Sequence, residues 1–356
     1  MDTVADELVF LGPELTDTSL VVPASALFAP GLPMTRIRDP MVVGLTPHTY
    51  LPKTLCPRLD WVASVAIPAF FRYREVYMDR CPGGRVRSFC TVGTGAGLDA
   101  LGAIELLSPS AVTVTDIHRD VVAKAVANIV ENLVEPAGIQ VRGVDGDLAT
   151  PLLHEANRYD LIYENLPNLP LASGTNLFRG DNSSSFYQWS RSLGAPPASV
   201  HNDLLDLHFA MLLQARELLC DDGRILCSIG ARRPLASILS MPRHAGCVGN
   251  ILAFTWKIQS DAPTVVSGYA EFQQRGFGPF HFYPIDVLDT LLTPLSPTDA
   301  ADRPRMLNDG VINWFTSRLS GTSGAASPSS RSSSSSTGGR SAKDSRTAGV
   351  GGRVSS

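Results

Sequence analysis

Apolar and polar positions follow two different periods along the central part of the chain. Short runs rich in β-branched residues, which indicate buried strands, alternate with stretches where apolar residues recur every three or four positions, as on one face of a helix. The stretch 119–133 shows the helical period most clearly. Its apolar face carries Val122, Val126, Ile129 and Leu133. Strands that alternate with helices predict an α/β fold, a doubly wound Rossmann-like parallel sheet with helices on both faces.

The individual elements follow from these periods. Five strands are predicted first, with the sequences SFCTVGT, AVTVTD, GIQVRGVD, YDLIYE and GRILCSIG. The helices among them are LDALGAIELL, RDVVAKAVANIVENL and HNDLLDLHFAMLLQARELL, the last ended by the turn DDG. Further along the chain, the runs 250–258 and 280–287 predict two more strands, with a helix over 264–276 between them.

The two ends of the chain differ in composition from this central part. The first eighty residues combine short apolar runs with many prolines, which remove backbone donors and disfavour long regular elements. We therefore predict an arm or cap over 1–80, in which the stretch 60–80 is helical with an interruption at Pro68. The serine- and glycine-rich segment 320–356 has almost no apolar residues to bury and is predicted to be disordered. The folded α/β domain is predicted over 81–319.

Composition and charge narrow the classes of function. The 356 residues are 44% hydrophobic with a net charge of −4, which suits a globular protein and gives no sign of a basic nucleic-acid-binding surface. The six cysteines have neither Cys-x-x-Cys spacing nor a histidine at zinc-ligand spacing, so no metal site is expected. The acidic N-terminus does not resemble a signal peptide, and no apolar run is long enough for a membrane span. We therefore expect a cytoplasmic protein with no membrane partner.

The segment Cys90–Ala100, CTVGTGAGLDA, is the strongest candidate for a site. A predicted strand ends in three alternating glycines, Gly93, Gly95 and Gly97, and a predicted helix follows. Glycines allow a sharp backbone turn and the close approach of a ligand, and the helix N-terminus adds free N–H groups and a positive dipole end. We predict that this loop, including Thr94, binds a cofactor.

A carboxylate follows at the end of the next predicted strand, where Asp116 ends AVTVTD. In open α/β sheets, an acid at this position accepts hydrogen bonds from ribose hydroxyls. The glycine loop also satisfies the dinucleotide pattern Gly-x-Gly-x-x-Gly/Ala through Ala100. These two features leave a nicotinamide-dependent oxidoreductase open beside other nucleoside-binding enzymes.

Two later segments distinguish between these possibilities. Asp147 lies on the turn after the third predicted strand, where its carboxylate can accept a hydrogen bond from an adenine amino group. The fourth strand ends in Glu164 and runs into Asn165-Leu166-Pro167-Asn168. Ligands in such sheets bind beyond the carboxyl ends of the strands, and prolines there hold polar groups in a stiff loop. A dehydrogenase gives this loop no role.

The order and spacing of these four elements, over about 87–230, resemble those of class I methyltransferases that use S-adenosylmethionine (SAM). The resemblance implies SAM as cofactor and a seven-stranded sheet with an antiparallel last strand. The implied contacts are the methionine end of SAM at Gly93, Gly95 and Gly97, its ribose at Asp116 and its adenine at Asp147. Many members of the family carry an acid two residues before the first glycine, where this chain has Thr91.

Within that family, Asn165-Leu166-Pro167-Asn168 is similar to the Asn-Pro-Pro-Tyr loop of N-methyltransferases, which include release-factor glutamine and adenine methyltransferases. The resemblance implies transfer to a nitrogen, with Glu164, Asn165, Pro167 and Asn168 as the candidate catalytic residues. Asn165 and a nearby backbone carbonyl would accept N–H groups of the acceptor and aim its lone pair at the methyl group. Glu164 would pair with a guanidinium or assist proton removal; the alternative is a solvent-facing charge or a pair with an arginine.

The acceptor is predicted to be a small, amino-acid-like molecule with a guanidinium or amide nitrogen, because the sequence shows neither an appended recognition domain nor a basic surface. A protein glutamine, an NAD(P)-dependent oxidoreductase and a SAM-binding fold without catalysis are the alternatives. The long insert after the Asn165 loop is interpreted as a lid, in which Phe186, Tyr187 and Trp189 cover a substrate or belong to the core. His201 and His208 are interpreted as surface histidines.

Overall fold

The structure is a computed structural model that describes residues 18–29, 32–80, 84–171, 186–188, 195–253, 255, 257–282 and 284. The strands are β1 (Thr18–Val22), β2 (Met41–Leu45), β3 (Ser88–Val92), β4 (Ala111–Asp116), β5 (Gln140–Asp145), β6 (Tyr159–Glu164), β7 (Leu169–Pro170), β8 (Phe186–Tyr187) and β9 (Leu219–Cys227). The α-helices are α1 (Ala24–Phe28), α2 (Ile67–Tyr73), α3 (Leu98–Leu107), α4 (Arg119–Asn132), α5 (Ala198–Asn202), α6 (Asp206–Ala215), α7 (Leu235–His244) and α8 (Ala262–Gln274).

A parallel five-stranded sheet forms the centre of the fold, in the order β5-β4-β3-β6-β9. The chain moves outward from β3 through β4 to β5, and then crosses back to β6 on the other side of β3. This reversal places a crevice between the carboxyl ends of β3 and β6, which is where ligands bind in open α/β sheets. The α/β class and the parallel sheet predicted from the alternating periods are confirmed.

Helices with a clear apolar period lie where the sequence predicts them. LDALGAIELL forms α3 from its first residue to its last, and α4 and α8 match their predicted stretches within two residues at each end. The predicted helix over 201–219 is instead divided into α5 and α6. Leu204 has φ of 53° between them, a left-handed conformation that interrupts a helix.

The strands on the β9 side differ from the prediction. The expected turn at 221–223 lies inside β9, as an irregularity in its pairing with β6. A Cβ atom on Gly223 would lie 2.6 Å from the Tyr159 carbonyl oxygen, so the close approach of the two strands requires glycine there. The described residues of 250–258 and 280–287 belong to no strand, so the described sheet has five strands and the prediction of two further strands is wrong for these residues.

Residues 18–80 contain more regular structure than their prolines predicted. Strand β1 pairs antiparallel with β2, and residues of this segment such as Phe28 and Met41 share a hydrophobic core with Phe89 of β3 and Leu101 of α3. Pro68 does not interrupt its helix: helical backbone continues through it, from a wider π turn at Val62–Ala66 into α2 and on to a second π turn at Arg74–Met78. The π turn before Pro68 already has a changed hydrogen-bond spacing, in which the Ile67 N–H bonds the Val62 carbonyl. The described helices include none that is both long and apolar enough to span a membrane.

Asparagine side chains on α4 bind this segment to the rest of the fold. Asn132 accepts a hydrogen bond from the Val42 N–H at 2.9 Å and donates one to its carbonyl at 2.7 Å. One turn earlier, Asn128 makes the same pair of bonds with Gly44, at 2.8 and 2.9 Å, and also donates to the Ala96 carbonyl. The two side chains therefore extend the edge of β2 as a further strand would.

Asn128 is buried, and replacing it with alanine removes the partners of Gly44 and Ala96 together. We expect Asn128→Ala to lower the free energy of unfolding by about 1–3 kcal/mol, the cost of leaving buried polar groups without partners. Urea denaturation measures the change. Asn157→Ala is the matched control, because Asn157 is exposed and its side chain bonds only Glu155 among the described residues. Equal stabilities of the two variants would contradict a clamping role for Asn128.

Candidate functional site

The glycine loop joins β3 to α3 in a conformation that other residues adopt only at a cost. Gly93, Gly95 and Gly97 have φ of 74°, 54° and 84°, all in the left-handed region. The N–H groups of Gly93 and Thr94 donate to the Thr115 carbonyl at 2.9 and 3.0 Å, which fastens the loop to β4. That a ligand approaches the backbone of this loop stays a prediction.

The three glycines have different surroundings. A Cβ atom on Gly95 would meet nothing within 4 Å, so this residue faces open space. A Cβ atom on Gly97 would lie 3.3 Å from the Ala125 carbonyl oxygen, so Gly97 allows α4 to pack closely against the loop. The resemblance places Gly97 at the methionine end of the cofactor, but its position here is one of helix packing, and it does not line the pocket at the carboxyl ends of the strands.

This pocket, of about 90 Å³, lies at the carboxyl ends of β3 and β6. Gly93, Thr94 and Gly95 line it from the loop, and Asn165 lines it from the residue after β6. The structure thus brings together two of the elements that the sequence singled out separately. The remaining wall includes Tyr50, Pro52, Asp60, Trp61 and Val62 from the N-terminal segment. Sequence analysis missed these residues, because no local pattern links the segment to the loop.

Asp116 lies beside the glycine loop, at the end of β4. Its carboxylate accepts hydrogen bonds from the Gly95 N–H at 3.3 Å and from the His118 N–H at 3.1 Å. Burial raises the pKa of Asp116, and these backbone bonds oppose the increase. Asp147 is half-buried on the turn after β5, the next strand outward. Neither carboxylate lines the small pocket, so their contacts with ribose and adenine stay predictions.

Glu164 is fully buried and does not reach the pocket. Its carboxylate bonds His208 Nδ1 at 2.7 Å and accepts the Leu166 N–H at 3.1 Å. The predicted direct pairing with a cationic acceptor does not fit this position, and neither alternative, a solvent-facing charge or an arginine partner, is found. His208 is also fully buried, which corrects its interpretation as a surface histidine; His201, half-exposed, pairs with Asp206 at 2.7 Å.

The rest of the Asn165 loop is held by packing. Asn168 is buried, and its Nδ2 donates to the Leu204 carbonyl at 3.0 Å, across the break between α5 and α6. Pro167 is half-buried and, like Asn168, does not line the pocket. Of the four predicted catalytic residues, Asn165 alone faces the crevice beside the glycine loop. Asn168 therefore has a structural position in this chain.

Part of the insert after this loop belongs to the core. Strand β8 pairs with β7, which comes directly after the Asn165 loop. Tyr187 is buried in the cluster under the sheet, and Phe186 packs against a second cluster that contains Leu169 and Tyr269. For these two residues the core interpretation is the one that the structure supports. Trp189 lies outside the described residues.

Asp99 is a buried carboxylate in the pocket wall that sequence analysis did not single out. Its oxygens accept hydrogen bonds from the hydroxyl groups of Thr91 and Thr94 and from the Ala100 N–H. Burial raises its pKa to about 6, although all three bonds favour the charged form. An acid in the first turn of a helix usually marks a favourable charge near the helix dipole, which is why its sequence position carried no signal of a site.

A larger cleft, about 800 Å³, lies along β9 and shares Trp61 with the small pocket. Its lining is mostly apolar, with Arg58, Arg232 and Lys257 among its members. The Arg232 guanidinium lies 5.9 Å from the Trp61 ring centroid and bonds Gln259 at 2.8 Å. Burial, and secondarily Arg232, lower the pKa of Lys257 to about 8. The cleft therefore offers an apolar path with a cationic side next to the pocket.

One group of side chains has the composition of a metal site. Ligand atoms of His48, His118 and Asp120 lie within 4.8 Å of one another, although the sequence predicted no metal site. His48 Nδ1 lies 2.8 Å from the Asp120 carboxylate, and the two imidazole rings stack at 4.6 Å. The ion pair and the stacking account for this arrangement without an ion, and we assign no metal to it.

No protein-family model matches the chain, and no curated protein matches it. Solved structures similar to it include the ribosomal protein L11 methylase of Lactobacillus delbrueckii subsp. bulgaricus, at 16% identity over 50% of this chain and 64% of that one, with a TM-score of 0.30. The methyltransferase subunit of a type I restriction-modification system from Streptococcus thermophilus is 15% identical over 51% of this chain and 37% of that one, with a TM-score of 0.30. CalO1, a methyltransferase in calicheamicin biosynthesis solved with S-adenosylhomocysteine (SAH), is 17% identical over 57% of this chain and 48% of that one, with a TM-score of 0.26.

The chain spans less than two thirds of the length of each of these proteins. Identities and TM-scores this low carry no conclusion about activity. The function proposed for this chain therefore depends on its own residues and their contacts.

Proposed function

We propose that the protein is a SAM-dependent methyltransferase that transfers a methyl group to a nitrogen of a small, amino-acid-like acceptor. The supporting observation is that Gly93, Gly95 and Asn165 line one pocket at the point where the strand order reverses. This crevice is the ligand site of open α/β sheets, and a left-handed glycine loop leading into a helix suits a nucleoside cofactor. We further infer that the enzyme is cytoplasmic.

Different residues of the chain bind different parts of the cofactor. Gly95 faces open space and lets the methionine end approach the backbone, while Asp116 holds the ribose from the end of β4. Asp147, one strand further out, accepts the adenine amino group. Bound SAM supplies an electrophilic methyl carbon on a sulfonium. The chain itself must align an acceptor with that carbon and keep competing water out.

Asn165 performs the alignment in this proposal. It follows β6 directly, and its neighbours Glu164 and Asn168 are fixed by His208 and by the Leu204 carbonyl. Its amide oxygen accepts an N–H of the acceptor, so that the nitrogen lone pair points towards the methyl carbon. As the N–C bond forms and the S–C bond breaks, the nitrogen loses one proton to solvent. Holding the reacting atoms in line lowers the barrier by several kcal/mol without any covalent step on the protein.

The cleft along β9 favours one kind of acceptor over another. A guanidinium would approach Arg58, Arg232 and Lys257, which share its charge, and Glu164 is not available to pair with it. An amide acceptor that also carries a carboxylate suits the same cations. We therefore favour the amide over the guanidinium. A glutamine side chain on a protein is the second acceptor of this type.

Calorimetric titration of the whole chain with SAH and, separately, with NADH tests the proposed class. Micromolar binding of SAH without binding of NADH would support the methyltransferase, and a screen of amide and guanidinium acceptors with radiolabelled SAM would be the next step. Binding of NADH alone would overturn the proposal, because the loop would then hold a dinucleotide. Binding of SAH without turnover of any acceptor would favour a SAM-binding protein without catalysis.

The open position of Gly95 gives a sharper test of where the cofactor lies. We expect Gly95→Ala to weaken SAH binding more than about tenfold, because the new methyl group projects into the space that the ligand would fill. Gly276→Ala is the matched control: Gly276 has φ of 91°, its Cβ atom also meets nothing within 4 Å, and it lies outside the pocket. Both variants share a backbone cost of about 1–2 kcal/mol. Equal SAH affinities would place the cofactor elsewhere.

A further inference from the structure

The small pocket has a negatively charged wall. Asp60 and Asp99 both line it, and its described lining residues include no lysine, arginine or histidine. The two carboxylates differ in the groups that donate hydrogen bonds to them. Asp60 accepts the backbone N–H groups of Lys53, Val62 and Ala63, so it serves as the cap of the helical segment that follows it.

Asp99 also accepts three hydrogen bonds, but only one of them comes from a backbone N–H group. Two of its three hydrogen-bond donors are threonine hydroxyl groups, one from β3 and one from the glycine loop, and none is charged. A buried carboxylate normally pairs with a cation, because burial otherwise disfavours its charged form. The raised pKa of Asp99 is consistent with such a missing partner. Asp99 is thus a buried carboxylate that lines a pocket whose described lining residues include no cation.

The supporting residues keep this carboxylate in one orientation. Thr91 is buried in β3 and does not line the pocket, but its hydroxyl group holds one oxygen of Asp99. Thr94 holds the other oxygen from the loop at 3.1 Å. A preorganised acceptor of this kind costs a ligand little to engage.

We propose that Asp99 binds the ammonium group at the methionine end of the cofactor, with Thr91 and Thr94 as positioning residues. This inference rests on the proposed function, which supplies the ligand. An ammonium donates hydrogen bonds to a carboxylate, whereas a sulfonium has no N–H to donate. The sulfonium end of the cofactor belongs beside Asn165, where the acceptor approaches.

The test measures calorimetric binding by the whole chain of SAH, of SAM and of an SAH analogue in which hydrogen replaces the α-amino group. The variants are wild type, Asp99→Asn and Glu105→Gln. Glu105 is a matched control on the same helix: its carboxylate binds the backbone N–H groups of Thr35, Arg36 and Ile37, away from the pocket. We expect Asp99→Asn to weaken SAH binding about 10- to 100-fold, as for the loss of a charge-assisted hydrogen bond, and to leave binding of the analogue unchanged.

Several results would overturn the assignment. An Asp99→Asn variant that binds SAH like wild type, or that loses SAH and the analogue equally, would make Asp99 structural. A loss for SAM but not for SAH would place the sulfonium at Asp99 instead. If wild type bound neither SAH nor SAM, the proposed function itself would fail, and that outcome is distinct from the others.

Wild type alone provides a second measurement if the Asp99→Asn variant does not fold. The preference for SAH over the deaminated analogue should decrease as the pH falls below about 6, because protonation removes the charge that holds the ammonium. Around Asp99, burial raises the pKa values of Cys90 and Tyr163, so both stay neutral over this range. The other carboxylate of the pocket, Asp60, accepts backbone N–H groups. A preference that does not change between pH 5 and 8 would overturn the assignment.

Discussion

Replacing Asn165 with alanine is expected to lower the rate of methyl transfer by about 100-fold or more while leaving SAH affinity unchanged. Asn165 lines the pocket from the residue after β6, and the amide oxygen is the group that would orient the acceptor nitrogen. Its removal leaves the glycine loop and Asp116 intact. The loss should therefore lie in kcat rather than in cofactor binding. Transfer of a labelled methyl group at saturating SAM, with calorimetry of SAH, separates the two quantities.

The neighbouring Asn168 supplies the control for this experiment. Its side chain bonds the Leu204 carbonyl and does not line the pocket, so Asn168→Ala should lower stability but retain most of the activity of the folded protein. Activity is compared at a temperature where circular dichroism shows both variants folded. Turnover by Asn165→Ala at the wild-type rate would remove Asn165 from the mechanism. A larger loss in Asn168→Ala than in Asn165→Ala would reverse the roles of the two amides.

The parts of the fold that were predicted are those governed by local periods. Helix α3 was predicted residue for residue because most positions of LDALGAIELL are apolar and a left-handed glycine directly precedes the helix. The strand β2 of the N-terminal segment was not predicted, because its edge is bonded by Asn128 and Asn132, more than eighty residues away in sequence. Nothing in the local pattern of 41–45 shows that an asparagine would complete the edge of its strand.

The candidate site shows the same division. The left-handed glycines carry a strong local signal, because few other residues adopt their φ angles. No local signal shows whether Glu164 faces a ligand or is buried. The strand YDLIYE is covered on both faces, so the alternation of apolar and polar residues does not indicate on which side its last residue lies. Only the packing of α6 shows that His208 forms a hydrogen bond with the Glu164 carboxylate. Asp99 was missed for the opposite reason, because its position suits an ordinary helix start.

The buried pair of Glu164 and His208 gives the prediction with the largest effect on stability. Both side chains are fully buried, and Nδ1 and Oε1 lie 2.7 Å apart. Among the described residues, His208 Nε2 has no hydrogen-bond partner, so Glu164 is the one polar group that hydrogen-bonds this imidazole. We expect His208→Leu to lower the free energy of unfolding by about 3–5 kcal/mol, since it leaves a carboxylate buried without its partner. Urea denaturation measures the loss.

A double-mutant cycle separates the pair from its surroundings. Replacing both residues with leucine removes the carboxylate and the imidazole together, and well-packed apolar residues often replace a buried pair at little cost. We therefore expect the double variant to be more stable than His208→Leu alone, with a coupling energy of about 0.5–3 kcal/mol between the sites. Additive losses would show that Glu164 and His208 do not depend on each other. Because Asn165 follows Glu164 directly, the single variant should also lower kcat while SAH binding is retained, which an isolated loss of stability would not do.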